Sequence, residues 1–102
     1  MQVTGALLDA CVLSTLIKED AYGYNLTKTL KDKLGVSEST LYPVMRRLQT
    51  SDCLTTYDEP FNGRNRRYYK ITEKGIKTFK EHVNNWTLFR EKINEFMEAV
   101  DE

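Results

Sequence analysis

Three arginines, Arg64, Arg66 and Arg67, lie close together in a segment that also contains residues able to turn a chain sharply. A guanidinium binds phosphate well because it donates two parallel hydrogen bonds to one anion. The formal net charge of the 102-residue chain is zero, yet residues 60–80 carry seven basic side chains against one acidic side chain. Residues 1–59 carry six basic against eight acidic side chains, and residues 81–102 carry two against six. The charge pattern therefore predicts one patch that binds a polyanion.

A second group of polar side chains precedes this patch, on a helix predicted to begin at Ser37, whose hydroxyl is a good N-cap. One face of this helix is apolar at helical spacing, at Leu41, Val44, Met45 and Leu48. The opposite face carries hydroxyls and a guanidinium that could bond base edges or phosphates in a major groove about 12 Å wide. The candidate DNA-binding residues are Ser37, Ser39, Thr40, Tyr42, Pro43, Arg46, Arg64, Asn65, Arg66 and Arg67.

Four helices and one hairpin are predicted to position these groups. Helical periodicity indicates helices over about residues 4–18 and 24–34, from Ser37 onward, and from Thr72 to about Val100, with a turn at residues 19–23. Only Gly35 and Val36 separate the second helix from the third, which is the spacing of a helix-turn-helix. Strands over residues 54–59 and 65–71 flank Asn62-Gly63, which accept the positive φ of a hairpin turn.

The order of these elements predicts a mainly α fold with a small β-hairpin. We expect a winged helix-turn-helix domain over residues 1–72 and a long C-terminal dimerisation helix over residues 73–102. At 1.5 Å per residue this helix would be about 42 Å long, more than a small domain can cover. Its apolar residues alternate in steps of three and four, so they predict a homodimer interface at Ile76, Phe79, Val83, Trp86, Ile93 and Met97.

Three ordered motifs resemble those of the PadR family of transcriptional regulators. They are Tyr22-Gly23-Tyr24-Asn25-Leu26, then Ser39-Thr40-Leu41-Tyr42-Pro43 followed by Arg46-Arg47-Leu48, and finally residues 66–75, RRYYKITEKG. The resemblance implies a dimeric repressor that binds double-stranded operator DNA and leaves it when a small molecule binds. A C-terminal region that consists of a single helix is similar to that of the smaller PadR subfamily, which includes the multidrug-sensing regulator LmrR.

This narrower resemblance implies a site for a small, planar aromatic ligand at the dimer centre. Trp86 would be the stacking residue, because aromatic faces bind planar or cationic ligands without demanding particular hydrogen bonds. Phe89 lies beside it, and the small residues Ala6, Ala10 and Ser14 of the first helix would form the pocket wall. A tryptophan at this position of a heptad is also a common interface residue, so both roles remain open.

The chain departs from the family pattern at two places. The family usually has a glycine just after the third helix, where this chain has Asp52, a residue that tolerates left-handed geometry less well than glycine. The strand before the hairpin turn carries Asp58 and Glu59, which would weaken phosphate contact on that strand. The phosphate contact would then be made by the basic residues of the strand that follows the turn.

Other functional classes have little support in the sequence. We expect no enzyme, because there is no phosphate-binding glycine loop or nucleophile motif, and no cofactor or metal. His82 is expected to be solvated, and Cys11 and Cys53 to be buried thiols. No apolar run reaches the length of a membrane span, so a cytoplasmic protein is expected. A winged-helix module that binds protein, or a ligand-binding scaffold without a DNA role, remain the alternatives.

Overall fold

The computed structural model describes residues 5–99, which fold into four helices and a three-stranded sheet. In chain order the elements are α1 (Gly5–Lys18), β1 (Ala21–Tyr22), α2 (Gly23–Leu34), α3 (Glu38–Thr50), β2 (Leu54–Phe61), β3 (Arg64–Ile71) and α4 (Glu73–Glu98). This arrangement confirms the predicted fold class, a winged helix-turn-helix with a long C-terminal helix. The first helix was predicted to begin at about residue 4, and the last helix to end at about Val100. Both residues lie outside the range that the structure describes.

The core forms where α1, α2 and α3 meet, because each helix buries one apolar face. These residues are Leu8, Val12, Leu13, Leu16, Leu26, Leu30, Leu41, Val44, Met45, Leu48, Cys53 and Leu54. The buried hydroxyl of Thr27 lies within hydrogen-bonding distance of the carbonyls of Gly23 and Tyr24, so its polar group is satisfied inside its own helix. Burial of the apolar faces fixes the orientation of α3 relative to α1 and α2.

The turn between α2 and α3 has the predicted local chemistry. Gly35 ends α2 in the left-handed conformation, with φ of 69°, and its N–H donates to the Lys31 carbonyl. Ser37 then caps α3, since its side-chain oxygen accepts a hydrogen bond from the Thr40 N–H. Helix α3 continues through Pro43, which lies inside it. The two helices are therefore joined by a short connection that fixes where the exposed face of α3 begins.

The sheet is antiparallel with strand order β1-β3-β2. Asn62 and Gly63 have φ of 50° and 77°, so the predicted two-residue hairpin turn is confirmed as one that needs positive φ twice. The hairpin strands extend further toward this turn than predicted. Strand β1 was expected to be a turn, but Ala21 and Tyr22 pair with Tyr69 and Tyr68. This strand was not predicted because two residues are too few to show an alternating pattern of apolar and polar side chains. The residues that pair with them are also distant in the sequence.

Helix α4 begins against the corner between α3 and β2. The Thr72 hydroxyl accepts a hydrogen bond from the Gly75 N–H at 3.0 Å and caps the helix as predicted. The Thr72 N–H donates to the Cys53 carbonyl at 3.1 Å. Within residues 5–99, none of the helices is both long and apolar enough to span a membrane.

Candidate nucleic-acid interface

The exposed face of α3 begins with a group of three hydroxyls. Ser37 Oγ lies 2.9 Å from Ser39 Oγ and 3.1 Å from Thr40 Oγ1. The N-terminus of a helix also carries partial positive charge, which attracts anions such as phosphate. This end of α3 therefore combines hydrogen-bonding groups with a field that favours DNA. The other predicted DNA-binding residues of α3 are exposed as well: Tyr42, Pro43 and Arg46.

Tyr69 of β3 lies at the corner between α3 and the hairpin. Burial raises the pKa of the Tyr69 phenol, the Arg67 charge opposes this rise, and the Tyr42 phenol adds to it. Tyr42 belongs to α3 and Arg67 to β3, so both elements contribute to the electrostatic surroundings of Tyr69. Tyr69 itself packs against the core, and its ring lies 3.2 Å from where a Cβ would stand at Gly23, the first residue of α2.

The three hairpin arginines are divided between two faces of the sheet. Side chains alternate along a strand, and the pairing of β2 with β3 is regular from Leu54 to the turn. Arg67 and Asn65 therefore share the face of Tyr69, on the side of α3. Arg64 and Arg66 lie on the opposite face. The sequence predicted one basic cluster, but only one of its three arginines, Arg67, lies on the side of α3.

The acidic residues of β2 stand opposite these arginines in the strand pairing. Asp58 is paired with Arg67, and its carboxylate lies 3.6 Å from the guanidinium Nε. The two side chains are 52% and 64% exposed, so this ion pair adds little stability and leaves Arg67 free to exchange partners. Glu59 stands opposite Arg66 in the strand register. The acidic strand thus offsets part of the basic charge, as the sequence suggested.

Arg66 is half-buried between two aromatic rings. Its Cζ lies 3.7 Å from the centroid of the Phe61 ring and 4.7 Å from that of the Tyr22 ring. These contacts are cation–π interactions, which strengthen as the cation loses water. Arg64 is fully exposed at the hairpin tip. The side chain of Arg66 is therefore more restrained than that of Arg64. This difference was not predicted from their positions in the sequence.

An ion pair ties α3 to the first helix. The guanidinium of Arg47 contacts the carboxylate of Asp9, which is half-buried. Burial raises the pKa of the Asp9 carboxyl, while the charges of Arg47 and His82 oppose the rise. His82 is itself half-buried, which corrects the expectation that it is solvated. Its position on α4, three residues after Phe79 and four before Trp86, was the signal that places it on the packed side.

A groove of about 870 Å³ runs between α1, α2 and α4 and ends at the sheet. This volume is in the range of sites that hold drug-sized ligands. Three of the predicted ligand residues line it: Trp86, Ala10 and Ser14. Among the described residues, Ala6 and Phe89 are not part of the lining, although the Phe89 ring lies edge-on to Trp86 with centroids 6.4 Å apart. Phe79, His82 and Cys11 line the groove too and were not predicted as ligand residues.

The second half of α4 extends away from the domain. Every residue from Leu88 to Ala99 is exposed, including Phe96 at 74% and Met97 at 63%. Phe79, one of the predicted dimerisation residues, packs instead on the core of its own chain. The other predicted dimerisation residues are exposed on α4: Ile76, Val83, Trp86, Ile93 and Met97.

The sequence of residues 12–81 matches the sequence model of the transcriptional regulator PadR-like family. This range contains α2, α3, the whole sheet and the first turns of α4. A relative from Lysinibacillus sphaericus, described only as an uncharacterized protein, is 30% identical over 99 residues. The alignment covers 92% of this chain and 91% of that protein.

Several solved structures are similar to this chain in both fold and sequence. A protein of Streptococcus mutans is 32% identical with a TM-score of 0.87, covering 96% of this chain and 92% of its own. A transcriptional regulator from Clostridium thermocellum is 34% identical with a TM-score of 0.80, covering 89% and 93%. A PadR-like transcriptional regulator from Bacillus cereus is 29% identical with a TM-score of 0.80, covering 89% and 91%.

Proposed function

Because the chain belongs to the PadR-like family of transcriptional regulators, we propose that it is a homodimeric repressor of transcription that binds operator DNA through α3 and the hairpin. The observation that carries this proposal is the exposed face of α3, which begins with the clustered hydroxyls of Ser37, Ser39 and Thr40. Arg67 of β3 is exposed on the adjoining hairpin. One surface then offers a helix that fits a major groove and a cation that fits a phosphate.

In the proposed complex, α3 lies in the major groove with its hydroxyl end toward the DNA. Ser39, Thr40 and Arg46 would contact base edges or flanking phosphates, while Arg67 and Asn65 would hold the backbone beside the groove. Phosphate contacts set the register, and the few base contacts select the sequence. In a dimer, two copies of α3 would meet major grooves about 34 Å apart on a pseudo-palindromic site.

Homodimerisation is supported by the exposed end of α4. An apolar helix face that reaches out from its own domain needs another surface to cover it, and a second copy carries a suitable groove beside α1. The rim of that groove includes Lys18 and Lys33. The end of α4 carries Glu91, Glu95 and Glu98. The opposite charges would orient one helix on the other chain.

The effector part of the proposal places a planar aromatic molecule on Trp86, in line with the resemblance to the multidrug-sensing subfamily. Trp86 is 45% exposed where α4 borders the groove, so one ring face can accept a stacking ligand. Release of DNA follows only if the ligand prefers a spacing of the two α3 helices that the operator does not allow. The groove is the surface on which such a preference could act.

A salt titration tests the DNA-binding part. A labelled duplex from the region upstream of the chain's own coding sequence is titrated with protein at several salt concentrations. Arg67→Met is expected to weaken binding and to reduce the slope of log affinity against log salt by about two for the dimer, because one phosphate contact is lost from each subunit. Lys92→Met removes an equal charge from the exposed end of α4 and should leave the slope unchanged. Equal slopes for wild type and Arg67→Met contradict the proposed contact.

The same duplex tests the effector part. Quenching of Trp86 fluorescence by a planar dye gives the dye affinity, first without and then with DNA. A sensor requires the two ligands to oppose each other, so DNA should weaken dye binding by the same factor as dye weakens DNA binding. Operator affinity that stays constant at saturating dye removes the effector from the proposal and leaves the DNA-binding part standing.

A further inference from the structure

We infer that Arg66 is a positioning residue that sets the angle of the hairpin, and that it is not a phosphate ligand. This inference rests on the proposed function, because its consequence is a change in operator binding. Its basis is the sandwich of the Arg66 guanidinium between the Tyr22 and Phe61 rings, on the face of the sheet opposite to Arg67.

The sandwich joins three parts of the domain. Tyr22 lies in β1 and is also the N-cap residue of α2. Phe61 is the last residue of β2, directly before the hairpin turn, and Arg66 lies in the middle of β3. A planar guanidinium that contacts both rings therefore links the tip of the hairpin to the beginning of α2.

A second contact lies next to the sandwich on the same face. The rings of Tyr57 and Tyr68 are stacked, with centroids 5.5 Å apart and planes 10° apart. The Tyr57 hydroxyl donates a hydrogen bond to the Asp20 carboxylate at 2.7 Å, and so ties β2 to the residue before β1. Two adjacent contacts thus hold the hairpin from one side. A hairpin held in this way has little freedom to tilt.

A phosphate would have to compete with this arrangement. If Arg66 turned toward DNA, it would leave both rings and expose them to water, and it lies on the wrong face of the strand to reach the surface of α3. The face that does reach it carries Arg67 and Asn65. Arg66 therefore acts through Arg67, because holding the hairpin in place fixes where the Arg67 guanidinium lies relative to α3.

The experiment compares Arg66→Lys with the matched variant Arg67→Lys on the opposite face. Lysine keeps the charge and loses the planar group that fills the sandwich. Hydrogen exchange of backbone amides at positions 21–24 and 61–69 is measured without DNA. Arg66→Lys is expected to speed exchange in both segments, and Arg67→Lys to leave it at the wild-type rate. Unchanged exchange in Arg66→Lys overturns the inference.

Operator binding gives the second readout. Arg66→Lys should weaken binding by roughly three- to tenfold with an unchanged salt slope, because a cation–π sandwich is lost and no phosphate contact is. In Arg66→Met, a slope reduced by about two for the dimer, as expected for Arg67→Met, would show a direct phosphate contact in each subunit and overturn the inference. Wild-type protein that shows no salt-dependent binding to duplex DNA overturns the proposed function alone, because the exchange measurement needs no DNA.

Discussion

Tyr57 donates its phenolic proton to a carboxylate 37 residues earlier in the chain, at Asp20. This hydrogen bond, with desolvation and the nearby negative charges adding to it, raises the pKa of Tyr57 from 10.0 to about 12. The folded protein therefore holds the phenolic proton at pH values at which the unfolded chain has released it. A single side chain thus makes the attachment of the hairpin sensitive to alkaline pH.

The stability of the protein is expected to fall as the pH rises from about 10 to about 12. The contribution of Tyr57 is complete below the unfolded pKa, and it is lost as the pH passes through the folded pKa, because unfolding then releases a proton. In Tyr57→Phe this part of the decline should disappear. Urea denaturation at a series of pH values measures it, with Tyr24→Phe, an exposed ring on α2, as the control. A decline of the same size in wild type and Tyr57→Phe would contradict the assignment.

At the scale of single residues, local chemistry was predictable where it depends on neighbours in sequence. Asp52 was expected at a corner that favours glycine, and its φ of 63° is indeed left-handed. The different surroundings of Arg66 and Arg67 were not predictable, because they depend on which face of β3 each residue occupies. Tyr22, which fills one side of the Arg66 sandwich, reaches β3 only through tertiary folding. The contact between Tyr22 and Arg66 therefore cannot be predicted from the spacing of residues in the sequence.

The junction of α4 with the corner after α3 is a close contact between elements. A Cβ added at Gly75 would lie 2.2 Å from the Cys53 carbonyl oxygen and 2.6 Å from Ile71 Cγ1. The Thr72 hydroxyl also donates to the Asp52 carbonyl at 2.6 Å. The first turn of α4 therefore rests directly on the backbone between α3 and β2. Glycine is required here for close approach and not for flexibility.

Gly75→Ala is expected to lower the free energy of unfolding by about 1–3 kcal/mol, because the new methyl group meets backbone that cannot move aside easily. The higher helix propensity of alanine would offset about 1 kcal/mol of the clash at most. Urea denaturation measures the change. Gly5→Ala is the control, because its Cβ would meet nothing within 4 Å. A Gly75→Ala protein as stable as wild type would show that α4 can shift outward without cost.

At the scale of elements, the long periodic segments were predictable and the shortest one was not. Helix α3 followed from the Ser37 cap and from apolar residues at helical spacing, and the hairpin followed from Asn62-Gly63. Strand β1 has only two residues, and it exists because β3 offers a free edge to it. That edge forms only when residues 64–71 are in place. The strand propensity of two residues therefore cannot predict that β1 forms.

The molecule as a whole is longer than a domain of its size needs to be. Its extents are 62 × 27 × 21 Å, and its radius of gyration is 15.9 Å. A compact chain of this length has a radius of gyration of about 13 Å. The 26 residues of α4, about 39 Å long, account for the excess. The shape alone shows that half of α4 is not used to stabilise its own domain.

If α4 joins two copies, Ile93→Glu should convert the dimer to a monomer. A carboxylate at this position would be buried without a partner and an apolar contact would be lost from each chain, so the dimer dissociation constant should rise at least about a hundredfold. Analytical ultracentrifugation measures the oligomeric state. Asn84→Glu adds the same charge at an exposed position nine residues before Ile93, on the opposite side of the helix, and should remain dimeric. A dimer that persists in Ile93→Glu would place the interface elsewhere.

The position of β3 in the middle of the sheet also sets an order of events during synthesis. Both strands that pair with β3 precede it in the chain, so the sheet can close only after Ile71 has been made. At roughly 5–20 residues per second, the exposed apolar end of α4 follows this point by about one to three seconds. All three strands of the sheet are therefore made before the exposed apolar residues of α4. Because synthesis is vectorial, the apolar end of α4 is the last part of the described structure to be made.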